Sequence, residues 1–266
     1  MSSNHEGIGQ IYAWDLATGS LEVKTDSPAG KGGGALSADG KWVLYHKDSE
    51  GPGSEIGHYV KVAWDGGEPG SEIDITPDLP PYAASGLAES KDGRILALCV
   101  AVDGGQTILI KAGLEAPPTE YHRVDTLIQS GSLELSPCGR YLAQASNEHT
   151  VQGGGQIAMD FQLNVYDLAK PSGSAPLATV WDGDTTSVSN YLFAPTEGAV
   201  LLAGTTSATG FDRPFLWEPL TDTRTELGGV EGIPGQLAPV CWSEDGGKLL
   251  LRHSDNGASS EPERFF

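Results

Sequence analysis

Short hydrophobic segments recur along this chain, each running into a turn of small residues and out into a second hydrophobic segment. Copies span residues 34–45, 86–98, 133–145, 191–203 and 240–252. Their turns are Asp39-Gly40, Asp92-Gly93, Cys138-Gly139, Glu197-Gly198 and Asp245-Gly246, with glycine-to-glycine steps of 53, 46, 59 and 48 residues. This is the pattern of a β-hairpin with a glycine-containing turn. Between the hairpins lies a second pattern of alternating apolar and polar residues, at 11–19, 60–69, 108–117, 163–171 and 214–223. Four of its copies carry an aromatic residue at a matching place, Trp14, Trp64, Tyr166 and Trp217, spaced by 50, 102 and 51 residues; the third copy has Ala112 near that place. Helical spacing is sustained nowhere, and 36 glycines and 17 prolines interrupt every candidate.

Two hairpins per ~50 residues make four short strands, which is one blade of a β-propeller. An antiparallel sandwich with accidental spacing would not repeat both half-patterns in the same order. The expected fold is all-β, a single propeller domain over 1–266 of about five four-stranded blades. The blades fall at 34–76, 84–124, 131–180, 189–227, and 237–256 combined with 3–25. The last two pieces are complementary half-blades, and they allow two readings. Either the halves join and close the ring, or the chain is cut from a longer propeller of seven or eight blades. The second reading is favoured.

Composition narrows the function classes. A net charge of −20 argues against nucleic acid and against anionic membrane surfaces, because binding there rests on lysine and arginine neutralising phosphates. It leaves room for a cationic or basic-peptide partner. No apolar run approaches the ~20 residues of a membrane span, and residues 1–10 lack a secretory pattern. Cys99, Cys138 and Cys241 lack metal or redox spacing. Cys99 and Cys241 lie among apolar residues and are expected to be small core side chains. A reducing, cytoplasmic location follows.

In such a meander the turns between strands one and two and between three and four share a rim. They are short here. The opposite rim carries the long segments 46–58, 146–162 and 204–213 and the between-blade pieces 77–83, 182–189 and 228–236. Binding usually resides in long loops on a rigid scaffold, although long loops are also simply tolerated. The candidate binding residues are therefore His46, Glu55, His58, His149, Asp182, Asp184, Asp212 and Arg213. No metal or cofactor is expected. Asp182-Gly183-Asp184 lacks the remainder of a calcium loop, and loop histidines are usually solvated. The glycine runs 32–34 and 153–155 lack the Lys-Ser/Thr that follows a phosphate-binding loop. A G-x-S-x-G nucleophile elbow is absent, so no catalytic residue is assigned.

Leu36-Ser37-Ala38-Asp39-Gly40-Lys41-Trp42, Leu135-Ser136-Pro137-Cys138-Gly139-Arg140-Tyr141 and Trp242-Ser243-Glu244-Asp245-Gly246-Gly247-Lys248 resemble the W-S-P-D-G-K repeat of TolB-like propellers. The run from Ile11 to Pro81 is similar to the N-terminal propeller of serine peptidases of the prolyl oligopeptidase and acylaminoacyl-peptidase type. That resemblance implies a propeller that restricts access to a separate α/β-hydrolase domain, which holds the catalytic triad and is not in this sequence. The expected function is thus a non-catalytic, substrate-gating propeller whose partner is a peptide or protein, with a serine hydrolase domain as one option. The alternatives are a stand-alone peptide-binding propeller and a five-bladed glycan-active enzyme, which would need paired carboxylates in a central pocket.

Overall fold

A computed structural model describes residues 2–4, 7–49, 51, 53–102, 104–125, 130–149, 160–196, 200–255 and 264–265. Apart from Glu148 and His149, which are helical, these residues are strand, turn and loop. The sheets follow one another in chain order. The first contains β1 (Ser2–Ser3), β2 (Gln10–Trp14) and β3 (Leu21–Val23). Next comes the meander β4 (Ala35–Leu36), β5 (Trp42–Asp48), β6 (Ile56–Ala63) and β7 (Ile73–Asp74), then β8 (Tyr82–Glu89), β9 (Leu96–Val102), β10 (Gly105–Lys111) and β11 (Thr119–Val124). A third meander is β12 (Ser130–Leu135), β13 (Tyr141–Ser146), β14 (Gln162–Asp167) and β15 (Ala178–Val180). The fourth is β16 (Val188–Phe193), β17 (Leu202–Thr206), β18 (Arg213–Glu218) and β19 (Thr223–Glu226). A last sheet holds β20 (Gln236–Trp242), β21 (Leu249–Ser254) and β22 (Arg264–Phe265). The pieces expected as complementary half-blades thus lie in different sheets: β2 pairs with β1 and β3, and β21 with β20 and β22.

Each core cluster sits between consecutive blades, which is why second strands read as unbroken apolar runs. In β9, Leu96, Leu98 and Val100 pack toward the preceding blade with Tyr59 and Ile75. The alternate residues Ala97 and Cys99 pack the other way, with Leu133, Leu142 and Tyr166. Period-two alternation here separates two buried faces instead of one buried and one wet. The same logic places Ile11 against Val43 and Val62, and Leu249 and Leu251 against Ala203.

Two features depart from regular meanders. Four inner strands, β8, β12, β16 and β20, each contain a register shift against their second strand. In β20 the shift falls between Pro239 and Cys241, and Cys241 is exposed, not the core residue expected from its apolar neighbours. A bulge inserts a residue and turns the following side chains to the other face. Cys99 is buried as expected. The second feature is a ladder across blades: Ile56 and Gly57 of β6 pair with Ala83 and Tyr82 of β8, fusing both meanders into one sheet. Gly57 is required there, since a Cβ would collide with the Lys47 carbonyl oxygen.

Candidate functional site

A cleft of about 580 Å³ opens beside this ladder, between the ends of β5 and β6, the start of β8 and the glycine run before β4. Strand β5 extends to Asp48, so His46 stands within a strand and the connecting loop shrinks to 49–55. The His46 ring packs against both Tyr59 and Tyr82, with centroids 5.6 and 5.8 Å away, and its Nε2 is 3.0 Å from the Tyr82 carbonyl oxygen. Burial holds its pKa below the usual histidine value, so the ring is neutral near pH 7. Asp48 is also sheltered. Burial works to raise its pKa, but hydrogen bonds from Lys31 Nζ (2.9 Å) and the Gly53 amide (2.9 Å) prevail and lower it. Glu55 is exposed at the lip, in a left-handed conformation with φ 58°.

Between Lys31 and Ala35, which also line the cleft, Gly32, Gly33 and Gly34 contribute bare main chain to its lining. The sequence excludes this run as a phosphate cradle; its lack of side chains is legible there, but not what it faces. The other glycine run, 153–155, lies outside the described residues. Beside the cleft, Glu72 accepts from Tyr45 Oη (2.7 Å) and Lys47 Nζ (2.9 Å). Burial opposes these bonds, yet they win and hold its pKa down to about 2.

The candidate residues separate into two groups. His46 and Glu55 line the cleft. His58 does not line it; the residue is half-buried, its ring tilted against Tyr82 at 5.4 Å, with Nδ1 3.1 Å from Asp74 but not aligned for a hydrogen bond. Asp182 pairs with Arg224 at 2.6 Å and so ties the segment after β15 to β19. Arg213 donates to the carbonyls of Ile233 and Gly235, while the Asp212 carbonyl accepts from the Leu237 amide; these bonds fasten the last sheet to the fourth blade. Burial raises the pKa of the Asp212 carboxyl. The His149 ring is tilted against Trp181 at 5.2 Å, and Asp184 is exposed. Among the described residues no three metal-ligating side chains come together.

No protein-family model matches the sequence, and no curated protein matches it either. Solved structures do. Oligogalacturonate lyase from Vibrio parahaemolyticus superposes with a TM-score of 0.63 at 14% identity, over 98% of this chain and 72% of that one. TolB from Acinetobacter baumannii gives 0.55 at 14%, over 97% of this chain and 61% of that one. Prolyl oligopeptidase B from Galerina marginata, bound to a 35mer hydrolysis and macrocyclization substrate, gives 0.61 at 13%. The match there covers 90% of this chain and 32% of the peptidase, so the chain spans about a third of that protein. Identities this low carry the fold and nothing finer: the chain is a TolB-like β-propeller, similar to the propeller of prolyl oligopeptidase.

Proposed function

We propose that this propeller is a non-catalytic peptide-binding module, related to the substrate-gating propellers of serine peptidases, and that it receives an extended peptide in the cleft at His46. The observation that carries this reading is a cleft lined by the bare main chain of Gly32–Gly34 together with His46, Asp48 and Glu55. Exposed main chain offers an extended segment hydrogen bonds independent of its sequence, and the side chains supply selectivity. The acidic lip at Glu55 and the net charge of −20 favour a basic segment. The comparison with a peptidase that holds a 35mer supports a peptide ligand without identifying one.

Gly32 tests the reading. Its φ is not left-handed, and an added Cβ would meet only Ser2 Oγ at 3.9 Å. Gly32→Leu should therefore add a side chain to the glycine run that lines the cleft and leave the fold intact. Fluorescence anisotropy with a labelled, alternating Lys-Ala hexapeptide should show binding that Gly32→Leu weakens by about tenfold or more. Unchanged affinity in that variant would place the peptide elsewhere and end the proposal.

A further inference from the structure

At the opposite ends of the strands lies a second cavity, about 630 Å³, which belongs to none of the long loops. It is lined by residues of the β8–β9 and β12–β13 turns and by Pro195, Thr196 and Val200 between β16 and β17, with Leu220 of the β18–β19 turn on its edge. Its apolar surface comes from Pro137, Pro195, Val200 and Leu220, the last 53% exposed. Among the described residues its charged lining is Lys91, Arg94 and Arg140 against Asp92, with Asp167 paired to Arg140, which leaves Lys91 as the unpaired charge in a chain of net charge −20. The cations are set in place before any partner arrives. Asp167 grips Arg140 through two hydrogen bonds of 2.9 and 2.8 Å, leaving the other guanidinium nitrogen outside that fork. Arg94 is fixed through its Nε by Asp92, and Lys91 is exposed with no ion-pair partner among the described residues.

We infer that this groove is a docking surface for a short acidic peptide segment of a partner protein, with an apolar side chain among its carboxylates. Carboxylates would meet Lys91 and the outward N–H groups of Arg94 and Arg140. The apolar side chain would cover Leu220 and the two prolines. Guanidinium groups already oriented lose little freedom on pairing, which favours them over free lysines. A long polyanion fits poorly. It would extend past the patch onto a chain of net charge −20.

Cys138 lines the groove and supplies a reporter. With Cys99 buried, Cys241→Ser leaves Cys138 as the exposed thiol of the full chain. The probe is a labelled Glu-Leu hexapeptide, followed by anisotropy and by its effect on the rate of Cys138 alkylation with an uncharged maleimide. Binding, slowed alkylation and weakening with added salt are expected. Lys91→Glu combined with Arg94→Glu should reduce affinity by about tenfold or more. Both side chains are exposed, and unchanged circular dichroism melting would confirm that the variant is folded. Leu220→Asp should weaken binding independently. Gly32→Leu should not, so failure of the first cleft and failure of this groove remain distinct. Equal affinity for a Gln-Leu peptide, no protection of Cys138, or loss of binding in Gly32→Leu would each overturn the inference.

Discussion

Four serines explain why the repeat is visible in the sequence. The hydroxyls of Ser37, Ser90, Ser136 and Ser243 accept from the amides of Trp42, Ile95, Tyr141 and Lys248, all at 2.9–3.0 Å. Three of them also donate to Asp39, Asp92 and Asp245, whose carboxylates then accept the amides of Lys41, Arg94 and Gly247. The neighbouring Gly40, Gly93, Gly139 and Gly246 all have φ near 70°. Every partner is within five residues, so the turn is written locally. Ser136 is buried, and Ser136→Ala strands the Tyr141 amide; urea denaturation should show a loss of roughly 1–3 kcal/mol. Ser243→Ala at the more exposed turn should cost less. Glu134 shows what stays hidden. It is an ordinary carboxylate in sequence, but burial between blades raises its pKa to about 7, against one opposing backbone hydrogen bond from Phe193. The folded state therefore binds its proton more tightly than the unfolded chain. Stability is reduced as pH rises from about 4.5 to about 7. Glu134→Gln should stabilise the protein at pH 8 by on the order of 2 kcal/mol, allowing for partial exposure, and leave it unchanged near pH 4. A pH-independent difference would show that burial of this carboxylate is not the cause.

Among elements, the hairpins are legible in the sequence and the inner-strand bulges are not. A hairpin is announced by its turn, whereas a bulge depends on what the neighbouring strand leaves unpaired. That is why the apolar neighbours of Cys241 point to the core while the residue itself is exposed. Half of the cleft is legible for the same reason: His46 and Glu55 flank a recognisable loop, but Gly32–Gly34 and Ser85 reach it only through the packing of successive blades. Tyrosine hydroxyls also join elements across blades. Tyr82 Oη accepts from the Tyr59 amide at 2.8 Å and bonds Thr76 Oγ1 at 2.7 Å; Tyr191 Oη accepts from the Ala145 amide at 2.9 Å. Tyr82→Phe strands a buried amide with little change in shape. It should lower stability by roughly 1–3 kcal/mol in urea denaturation. A cost near zero would mean that another acceptor reaches Tyr59.

For the molecule as a whole, the strongest sequence signal, a net charge of −20, describes the surface poorly, because its cations are unevenly placed. Lys24, Lys61 and Lys111 are buried, and Lys24 and Lys111 donate to main-chain carbonyls of the blade beside them, Trp64 and Gly67 for the one and Ile75 for the other. No helix among the described residues is long and apolar enough to cross a membrane. Blades that touch mainly through side chains can detach singly when the chain is pulled from its ends. The β6–β8 ladder forbids that for one pair. Residues 35–124 share a continuous set of main-chain bonds across the blade boundary, so under force in an optical trap they should lengthen in a single step, about twice that of a lone blade. Two separate steps from this stretch would mean that the ladder carries no load.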